Sequence, residues 1–467
     1  MFDACRGCFK QLRSAERGRQ LAYGLLNCQG RSTITGMLSS AGRQFSDWTQ
    51  AYRLFTGGRM NIERMFATIL GKFLDTVPGQ YEPVYAHMDD TLVRKRGRHV
   101  YGTGWKRDPL GPPFTTNFVW GQRFLQISVS SPEAESCCAS RAIPVDFFHC
   151  PTPRKPRKNA PEQDWQDYKQ AAKTARISQK GVERVHALRQ RLDDSQAADR
   201  QLILSVDGGY TNQTVLKQLP ERVTLIGRIR KDCVLHELPP EKQSGRGRKR
   251  VYGQQIPTPE QIRQSGDIPW QKVEAFAAGK KHTFDVKVVA PLRWRKAGKQ
   301  DLQLVVIRPL AYRPRKGARL LYRKPAYLIC TDPDLPIEQL LQAYIWRWEI
   351  EVNNRDEKSL IGCGQAQVRK REPAEKVPAF TIAIYAMLLL ANERTKGKDQ
   401  QLPRPKWHPE KRPGRATTGD LINRFKAHIY ARSTGINFSH FVNNQRVIRN
   451  RKNIMNPVLA ATCYARK

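Results

Sequence analysis

The sequence is poor in acidic residues and has no long hydrophobic run. Its 467 residues include 42 Asp and Glu against 81 Lys and Arg, giving a formal net charge of +39 and a pI near 10.2. A content of 39% hydrophobic residues argues against an intrinsically disordered chain. A strongly basic globular protein of this length indicates a polyanionic partner, and nucleic acid is the expected one.

Signals for secretion, membrane insertion and disulfide bonding are also missing. The opening residues contain no apolar signal-peptide core. The most hydrophobic stretch, residues 378–391, is shorter than the roughly 20 residues that span a membrane, and it predicts a buried helix. The ten cysteines form no regular framework, and Cys5 and Cys8 lack a second pair at zinc-finger spacing. We therefore expect a reducing, cytoplasmic setting.

The hydrophobic period changes along the chain. Residues 1–80 have helical spacing, with Asn61 as a plausible cap of the helix that follows it. Two short helices on either side of Gly42 fit a helix-turn-helix and a plain helical bundle equally well. From residue 81 onward, period-two alternation predicts strands, which indicates a mixed α/β domain. A further helix is expected at residues 416–432.

The segment from Tyr344 to Lys358 (YIWRWEIEVNNRDEK) predicts a helix with an unusual polar face. At about 100° per residue, Tyr344, Arg347, Glu351 and Lys358 fall within one narrow arc. The simplest interpretation is an i,i+4 ion pair between Arg347 and Glu351, worth a few tenths of a kcal/mol. The alternative is that these four residues form a functional site, which would require further functional residues from other parts of the chain.

Three acidic positions could complete such a face. Asp89 and Asp90 lie in one predicted strand, and Asp207 follows the apolar strand of residues 202–206, before a Gly-Gly turn. Such strand ends are where α/β sheets place their sites. Carboxylates grouped without a cation repel one another, whereas pairs of Mg²⁺ ions bound by carboxylates are the usual agents of phosphodiester cleavage and transfer.

The spacing of Tyr344, Arg347, Glu351 and Lys358 resembles the YREK signature of bacterial insertion-sequence transposases. The stretches MDDTLV and LSVDGGY resemble the first and second acidic motifs of the same family. The resemblance implies a DDE triad of Asp90, Asp207 and Glu351 on a ribonuclease H-like fold, binding two Mg²⁺ ions that Mn²⁺ can replace. Asp90 is preferred because the family's aspartate immediately precedes threonine, and Asp89 is the alternative.

The same resemblance assigns phosphate-binding roles to four basic or aromatic residues. Tyr344, Arg347 and Lys358 would hold phosphates at the transposon end, where arginine offers a planar fork and lysine a point charge. Arg228, in the stretch VTLIGRIRK, matches the arginine of a similar family strand less securely.

The distance between the second and third acids predicts an insertion. The separation of 144 residues (351 − 207) exceeds that of an uninterrupted core, and the strand-like residues 222–330 suit a β-rich insertion domain. In relatives, a tryptophan of this domain stacks on a flipped base. Trp294, between two arginines, is the candidate here, with Trp270 and a plain core role as alternatives.

The expected protein is thus a cut-and-paste DNA transposase. It would bind terminal inverted repeats and target DNA as a homodimer, cut with or without a hairpin intermediate, and act at the bacterial nucleoid without a membrane partner. A non-catalytic DNA-binding derivative and a Mg²⁺-dependent nuclease remain alternatives. The expected organisation comprises a helical DNA-binding domain (1–80), a ribonuclease H-like core in two parts (81–221 and 331–393), the β-rich insertion (222–330), and a basic linker with a helical C-terminal region (394–467).

Overall fold

The computed structural model describes residues 1–76, 83–108, 111–112, 114–133, 137–241, 247–313, 317–395 and 415–433. A short 3-10 helix spans Phe2–Cys8. The α-helices are α1 (Leu12–Asn27), α2 (Ile34–Ser40), α3 (Thr49–Arg53), α4 (Ile62–Leu74), α5 (Glu162–Thr174), α6 (Ile177–Asp193), α7 (Gln213–Leu216), α8 (Pro259–Gln264), α9 (Ile337–Trp346), α10 (Trp348–Asp356), α11 (Arg371–Arg394) and α12 (Thr418–Ser433). The strands are β1 (Val84–Arg94), β2 (Gly104–Arg107), β3 (Phe118–Pro132), β4 (Ser140–Cys150), β5 (Leu202–Val206), β6 (Val223–Arg228), β7 (Gln271–Ala277), β8 (Lys280–Arg293), β9 (Asp301–Ile307), β10 (Ala311–Tyr312), β11 (Leu321–Tyr322) and β12 (Ala326–Cys330).

One large mixed sheet organises the described chain. Its strand order is β2-β3-β1-β5-β6-β12-β9-β8-β7, and β4 also pairs with β3. Strand β1 runs parallel to β5, and β5 runs parallel to β6, whereas β3 is antiparallel to β1. The predicted mixed α/β architecture is confirmed, and the carboxyl end of β5 lies beside the middle of β1, at Met88.

Residues 222–330, the predicted insertion, begin with a strand of the central sheet and do not form a separate sheet of their own. Strand β6 opens residues 222–330, yet it pairs along its length with β5 in the middle of the sheet. Strand β12 then pairs with β6 on one side and β9 on the other, so β7, β8 and β9 extend the same sheet. Continuous backbone hydrogen bonding, rather than a separate sheet, joins this β-rich stretch to the core.

Helices cover both faces of the sheet. On one face, α6 packs so closely that a Cβ placed on Gly181 would lie 3.2 Å from the Met88 side chain. On the other face, the Ser205 hydroxyl of β5 donates to the Ala343 carbonyl of α9 at 3.1 Å. The long helix α11 also packs there, with Gln122 of β3 donating to its Ala374 carbonyl at 3.2 Å.

Helix α11 is the buried helix that the sequence predicts, although it is longer than expected. It has 24 residues and is the one helix of the described chain long and apolar enough to cross a membrane by composition, with 78% of its most apolar window buried inside the protein. This burial is typical of a core helix. Phe380 of α11 meets Phe55 edge-on, with ring centroids 5.6 Å apart.

The amino-terminal helices pack against this core. Asn61 caps α4 as predicted, its side chain accepting from the Arg64 amide at 2.9 Å. Helix α4 is also tied to the core by charge, because its Glu63 accepts from Arg184 of α6 at 2.7 Å. The helix-turn-helix assignment stays a prediction, since α2 and α3 are separated by residues 41–48 and suit a bundle as well.

Two further expectations fall at the edges of the described chain. Helix α12 confirms the helix predicted at residues 416–432. The basic linker, apart from residues 394, 395 and 415, and the basic tail after residue 433 lie outside the described residues. The described cysteines are all free, including Cys5 and Cys8, which are buried.

Candidate active site

The two adjacent acids of β1 lie on opposite faces of the sheet, because successive side chains of a strand alternate. Asp90 faces α6. Its carboxylate pairs with Arg123 Nε at 3.1 Å and accepts a hydrogen bond from the Tyr210 hydroxyl at 2.9 Å. Asp90 is therefore already held by two partners, one from β3 and one from the turn after β5.

Asp89 faces the opposite side, where α9 and α10 pack. Met88 pairs with Val206 in the parallel ladder of β1 and β5, so Asp89 lies beside Asp207, the residue immediately after β5. Burial raises the pKa of Asp89 to about 7, and repulsion from Asp90 and Asp207 adds to the shift. Asp89 and Asp207 are therefore close enough for their charges to interact.

The glycine turn after β5 fixes Asp207 at the sheet end. The Gly209 amide donates to Asp207 Oδ1 at 2.9 Å, and the Thr211 hydroxyl donates to the Asp207 carbonyl at 3.0 Å. A Cβ on Gly208 would lie 3.4 Å from the Arg228 carbonyl of β6. The turn thus packs against the end of the neighbouring strand, and Tyr210 can reach under it to Asp90.

The segment from Tyr344 to Lys358 is not one unbroken α-helix. Helix α9 ends at Trp346, α10 begins at Trp348, and a π-helical turn, Glu357–Ile361, follows α10. Arg347 occupies the joint between α9 and α10. The α-helical spacing predicted the helices correctly, but it missed the interruption at Arg347.

Arg347 is the centre of this segment. Its Nη2 donates to Glu351 Oε1 at 3.0 Å, and its guanidinium carbon lies 5.5 Å from the centre of the Tyr344 ring. The side chain is only 13% exposed, and its Nε is buried with no hydrogen-bond partner among the described residues. The ion pair of the simplest interpretation is therefore present, in a largely buried form.

Electrostatics connect this segment to the acids of the sheet. Burial acts to lower the pKa of Arg347, but Tyr344, Glu351 and Asp89 outweigh it, and the pKa is raised. Burial also lowers the pKa of Lys358, which the nearby carboxylates of Glu357 and Asp89 oppose. Arg347 is thus a positive charge shared by Asp89 and Glu351.

The third carboxylate is not gathered with the other two. Across the described ranges, no group of three or more His, Cys, Asp or Glu side chains is close enough to hold a metal ion. Asp89 and Asp207 do suit a divalent cation, because they offer hard oxygen ligands and their mutual repulsion would be relieved by it. Glu351 is instead paired with Arg347, through its Oε1 at 3.0 Å.

The other predicted DNA-binding residues have different outcomes. Arg228 is exposed at the end of β6, where Val206 pairs with Gly227, so it lies beside Asp207. Trp294 is 6% exposed within the main hydrophobic core. Its neighbour Arg293 pairs with Asp301 at 2.8 Å. The burial of Trp294 favours the alternative of a core role, and base stacking by this residue stays a prediction.

Two residues next to the candidate site were not predicted from the sequence. Arg123 and Tyr210 bind Asp90 from β3 and from the turn after Asp207. A weak signal existed for Arg123, which is the one charged residue of β3. No local pattern marked Tyr210, since its role depends on the pairing of β1 with β5.

A large mixed sheet that brings Asp89 of β1 beside Asp207, which follows the parallel strand β5, is consistent with a ribonuclease H-like nuclease fold. The family model of the DDE superfamily endonucleases matches residues 6–300, so the chain belongs to that family. No curated protein matches the chain. Membership indicates a nuclease or transposase that acts on DNA, in a superfamily that generally uses divalent metal ions such as Mg²⁺. The match includes Asp89, Asp90 and Asp207 and ends before the helix of Glu351.

Proposed function

We propose that this protein is a DNA transposase of the YREK-signature group. It binds the terminal inverted repeats of its insertion sequence, excises the element by metal-dependent strand cleavage through hairpin ends, and joins the 3′ ends to target DNA. The main observation behind the proposal is that Asp89 and Asp207 lie side by side on the sheet face that α9 and α10 cover, within electrostatic reach of Arg347, which pairs with Glu351.

The catalytic acid of β1 in this proposal is Asp89. The preference for Asp90 rested on its position before Thr91, whereas two contacts hold Asp90 on the far face of the sheet. Asp89 is on the face of α9 and α10, and its carboxyl responds to the charges of Asp207 and Arg347. Asp89, Asp207 and Glu351 would then hold the metal ions, which stabilise the attacking and leaving oxygens of the phosphodiester when bound.

Assembly of this triad requires Glu351 to exchange partners. Glu351 is bound to Arg347 at 3.0 Å, and Arg347 still has a buried Nε without a partner among the described residues. A DNA phosphate offers Arg347 a bidentate acceptor, which an arginine fork binds well. We infer that DNA takes over Arg347 and leaves the Glu351 carboxylate available to the metal ions.

The remaining contacts to DNA follow from the charges around these acids. Tyr344 packs under the Arg347 guanidinium and limits where it can point. Lys358, in the π-helical turn, and Arg228, exposed beside Asp207, would each bind a phosphate of the DNA. Two protomers, each acting at one element end, complete the proposed assembly.

The test is cleavage of a supercoiled plasmid that carries the element with its flanking DNA, in Mg²⁺ and in Mn²⁺. Asp89→Asn and Glu351→Gln should abolish nicking while DNA binding persists, because each removes one charge and one metal ligand but keeps the shape. Asp90→Asn is the matched control, and it should retain measurable cleavage. Full cleavage by Asp89→Asn, with loss only in Asp90→Asn, would restore Asp90 as the catalytic acid.

Product analysis separates the proposal from its alternatives. A transposase yields hairpin ends or strand-transfer products joined to target DNA, whereas a nuclease yields nicks and breaks alone. A wild-type protein that binds the element ends but never cuts them in either metal would be a non-catalytic DNA-binding protein.

A further inference from the structure

An exposed cluster of aromatic and arginine side chains lies at the start of β3. The Arg98 guanidinium carbon is 4.8 Å from the ring centres of both Trp105 and Trp120, and the two rings meet edge-on with centroids 5.6 Å apart. Trp105 and Phe118 are each 55% exposed. We call Arg98, Trp105, Trp120 and Phe118 the tryptophan platform.

The tryptophan platform combines exposed aromatic rings with exposed arginines. Arg98 fixes both rings by cation-π contact, and the Trp120 indole donates to the Gly97 carbonyl at 3.1 Å. Arg98 and Arg107 are exposed and form no ion pair within the described part of the chain. An exposed ring held beside uncompensated arginines suits a ligand that is both flat and anionic.

The strand register places the platform on the same face of the sheet as Asp89. Asp89 pairs with Gln126 of β3, and Trp105 pairs with Trp120. Positions 126 and 120 differ by an even number, so their side chains share one face. Six residues of strand (126 − 120) correspond to roughly 20 Å, which places the platform a few nucleotides from the proposed catalytic acids.

We propose that the tryptophan platform binds an unpaired nucleotide of the DNA substrate, with Trp105 stacking on the base and Arg98 and Arg107 contacting the adjacent phosphates. This inference rests on the proposed function for its substrate, DNA. Trp105 lies in β2, at the edge of the sheet, and more than half of its side chain is exposed.

Phe118 extends the platform beside Trp105. It pairs with Arg107, whereas Trp120 pairs with Trp105, so the exposed aromatic rings and Arg107 share one face of the β2–β3 ladder. Lys106 points to the other face, where burial and Arg123 lower its pKa. The platform face of β2 therefore carries Trp105 and Arg107, and Lys106 is not part of it.

The test is fluorescence anisotropy of the full-length protein with two labelled probes in EDTA, where no cleavage occurs. One probe is a short duplex with an unpaired thymidine tail, and the other is the same duplex with blunt ends. Wild type should prefer the tailed probe. Trp105→Ala should lose roughly tenfold in affinity for the tailed probe alone, the range that stacking of one base provides.

Trp48→Ala is the matched control, because Trp48 is 56% exposed and precedes helix α3, which contributes no residue to the platform. Any contribution of Trp48 to duplex binding would change both affinities equally. Trp105→Phe keeps an aromatic surface and should retain most of the preference. Circular dichroism and thermal unfolding of each variant exclude a folding defect as the cause.

Three results would overturn the inference. They are an equal loss of affinity for both probes in Trp105→Ala, no loss at all, or a change of oligomeric state that accounts for the loss. The outcome is independent of the catalytic proposal, because the assay contains no metal ion. A preference for the tailed probe could persist even if Asp89→Asn cleaved normally, and its absence would leave the catalytic acids untouched.

Discussion

The opposite surroundings of Asp89 and Asp90 predict opposite effects on stability when each is replaced by asparagine. Asp89 has no hydrogen bond from another side chain among the described residues, and burial and two neighbouring acids raise the pKa of its carboxyl from 3.8 to about 7. Asp90 is held by Arg123 and Tyr210. The same substitution in the same strand therefore removes an unfavourable charge in one case and a favourable one in the other.

The pH dependence of the Asp89 effect follows from linkage. Between pH 4 and 7, roughly, the unfolded chain has lost the Asp89 proton while the folded protein keeps it, so stability falls as the pH rises through that window. A shift of about three pKa units corresponds to at most roughly 4 kcal/mol. Water entering the partly exposed site screens this, and we expect Asp89→Asn to stabilise the metal-free protein by about 1–3 kcal/mol at pH 8.

The assay is urea unfolding in EDTA at pH 8 and pH 5, followed by tryptophan fluorescence. The gain from Asp89→Asn should shrink to about a third at pH 5, because most of the linkage window lies above that pH. Asp90→Asn should lose about 1–2 kcal/mol, since it weakens a hydrogen bond and an ion pair to a charged group. Added Mg²⁺ should stabilise wild type and have less effect on Asp89→Asn.

Two results would contradict a raised pKa at Asp89: an Asp89→Asn variant no more stable than wild type at pH 8, or a gain in stability that is the same at both pH values. Asp90→Asn serves as the internal control, because it changes the same charge one residue away. If both variants were stabilised, the assignment of the two carboxylates to opposite faces would be wrong.

Two further predictions concern how the fold supports the site. Asp146→Ala should lower the free energy of unfolding by about 2–4 kcal/mol in urea titrations. It removes the buried carboxylate that binds Arg184 at 2.6 and 2.7 Å and leaves this arginine paired with the more exposed Glu63; a loss below about 1 kcal/mol would mean that the Asp146 pair is solvated. Trp294→Ala should lower the free energy of unfolding by about 3–5 kcal/mol in the same assay, while the folded variant keeps its affinity for DNA. A loss of DNA binding at unchanged stability would instead support base stacking by Trp294.

Local periodicity accounts for what the sequence predicted well. The strands around Asp89 and Asp207 alternate or are continuously apolar, and the cap at Asn61 is a side-chain property of one residue. These features depend on neighbours within a few positions. The signature of Arg347 and Glu351 was recognisable for the same reason, since four residues within one segment define it.

Long-range pairing decided the features that the sequence could not supply. Whether Asp89 or Asp90 faces the helices depends on the register of β1 against β3 and β5. Strand β12 returns to pair with β6 about 100 residues later in the chain, which joins the insertion to the core sheet. Trp294 has charged neighbours in sequence, yet the partner of Arg293 is Asp301 across a strand pair.

The interruption of the helix at Arg347 shows how one segment can contain both an i,i+4 ion pair and a functional face. The ion pair with Glu351 forms as in any i,i+4 pair, but the joint between α9 and α10 leaves Arg347 within the electrostatic reach of Asp89 as well. A surface pair would have no such third partner.

Asp90 has a structural part in this arrangement even without binding metal. Its carboxylate accepts from Tyr210, which belongs to the turn that begins with Asp207, and it pairs with Arg123 of β3. These contacts connect the middle of β1 to the Asp207 turn and to the neighbouring strand β3. Asp89 belongs to β1 and Asp207 begins that same turn. The contacts of Asp90 on one face of the sheet therefore fix the distance between the Asp89 and Asp207 carboxylates, which are proposed to act together on the opposite face.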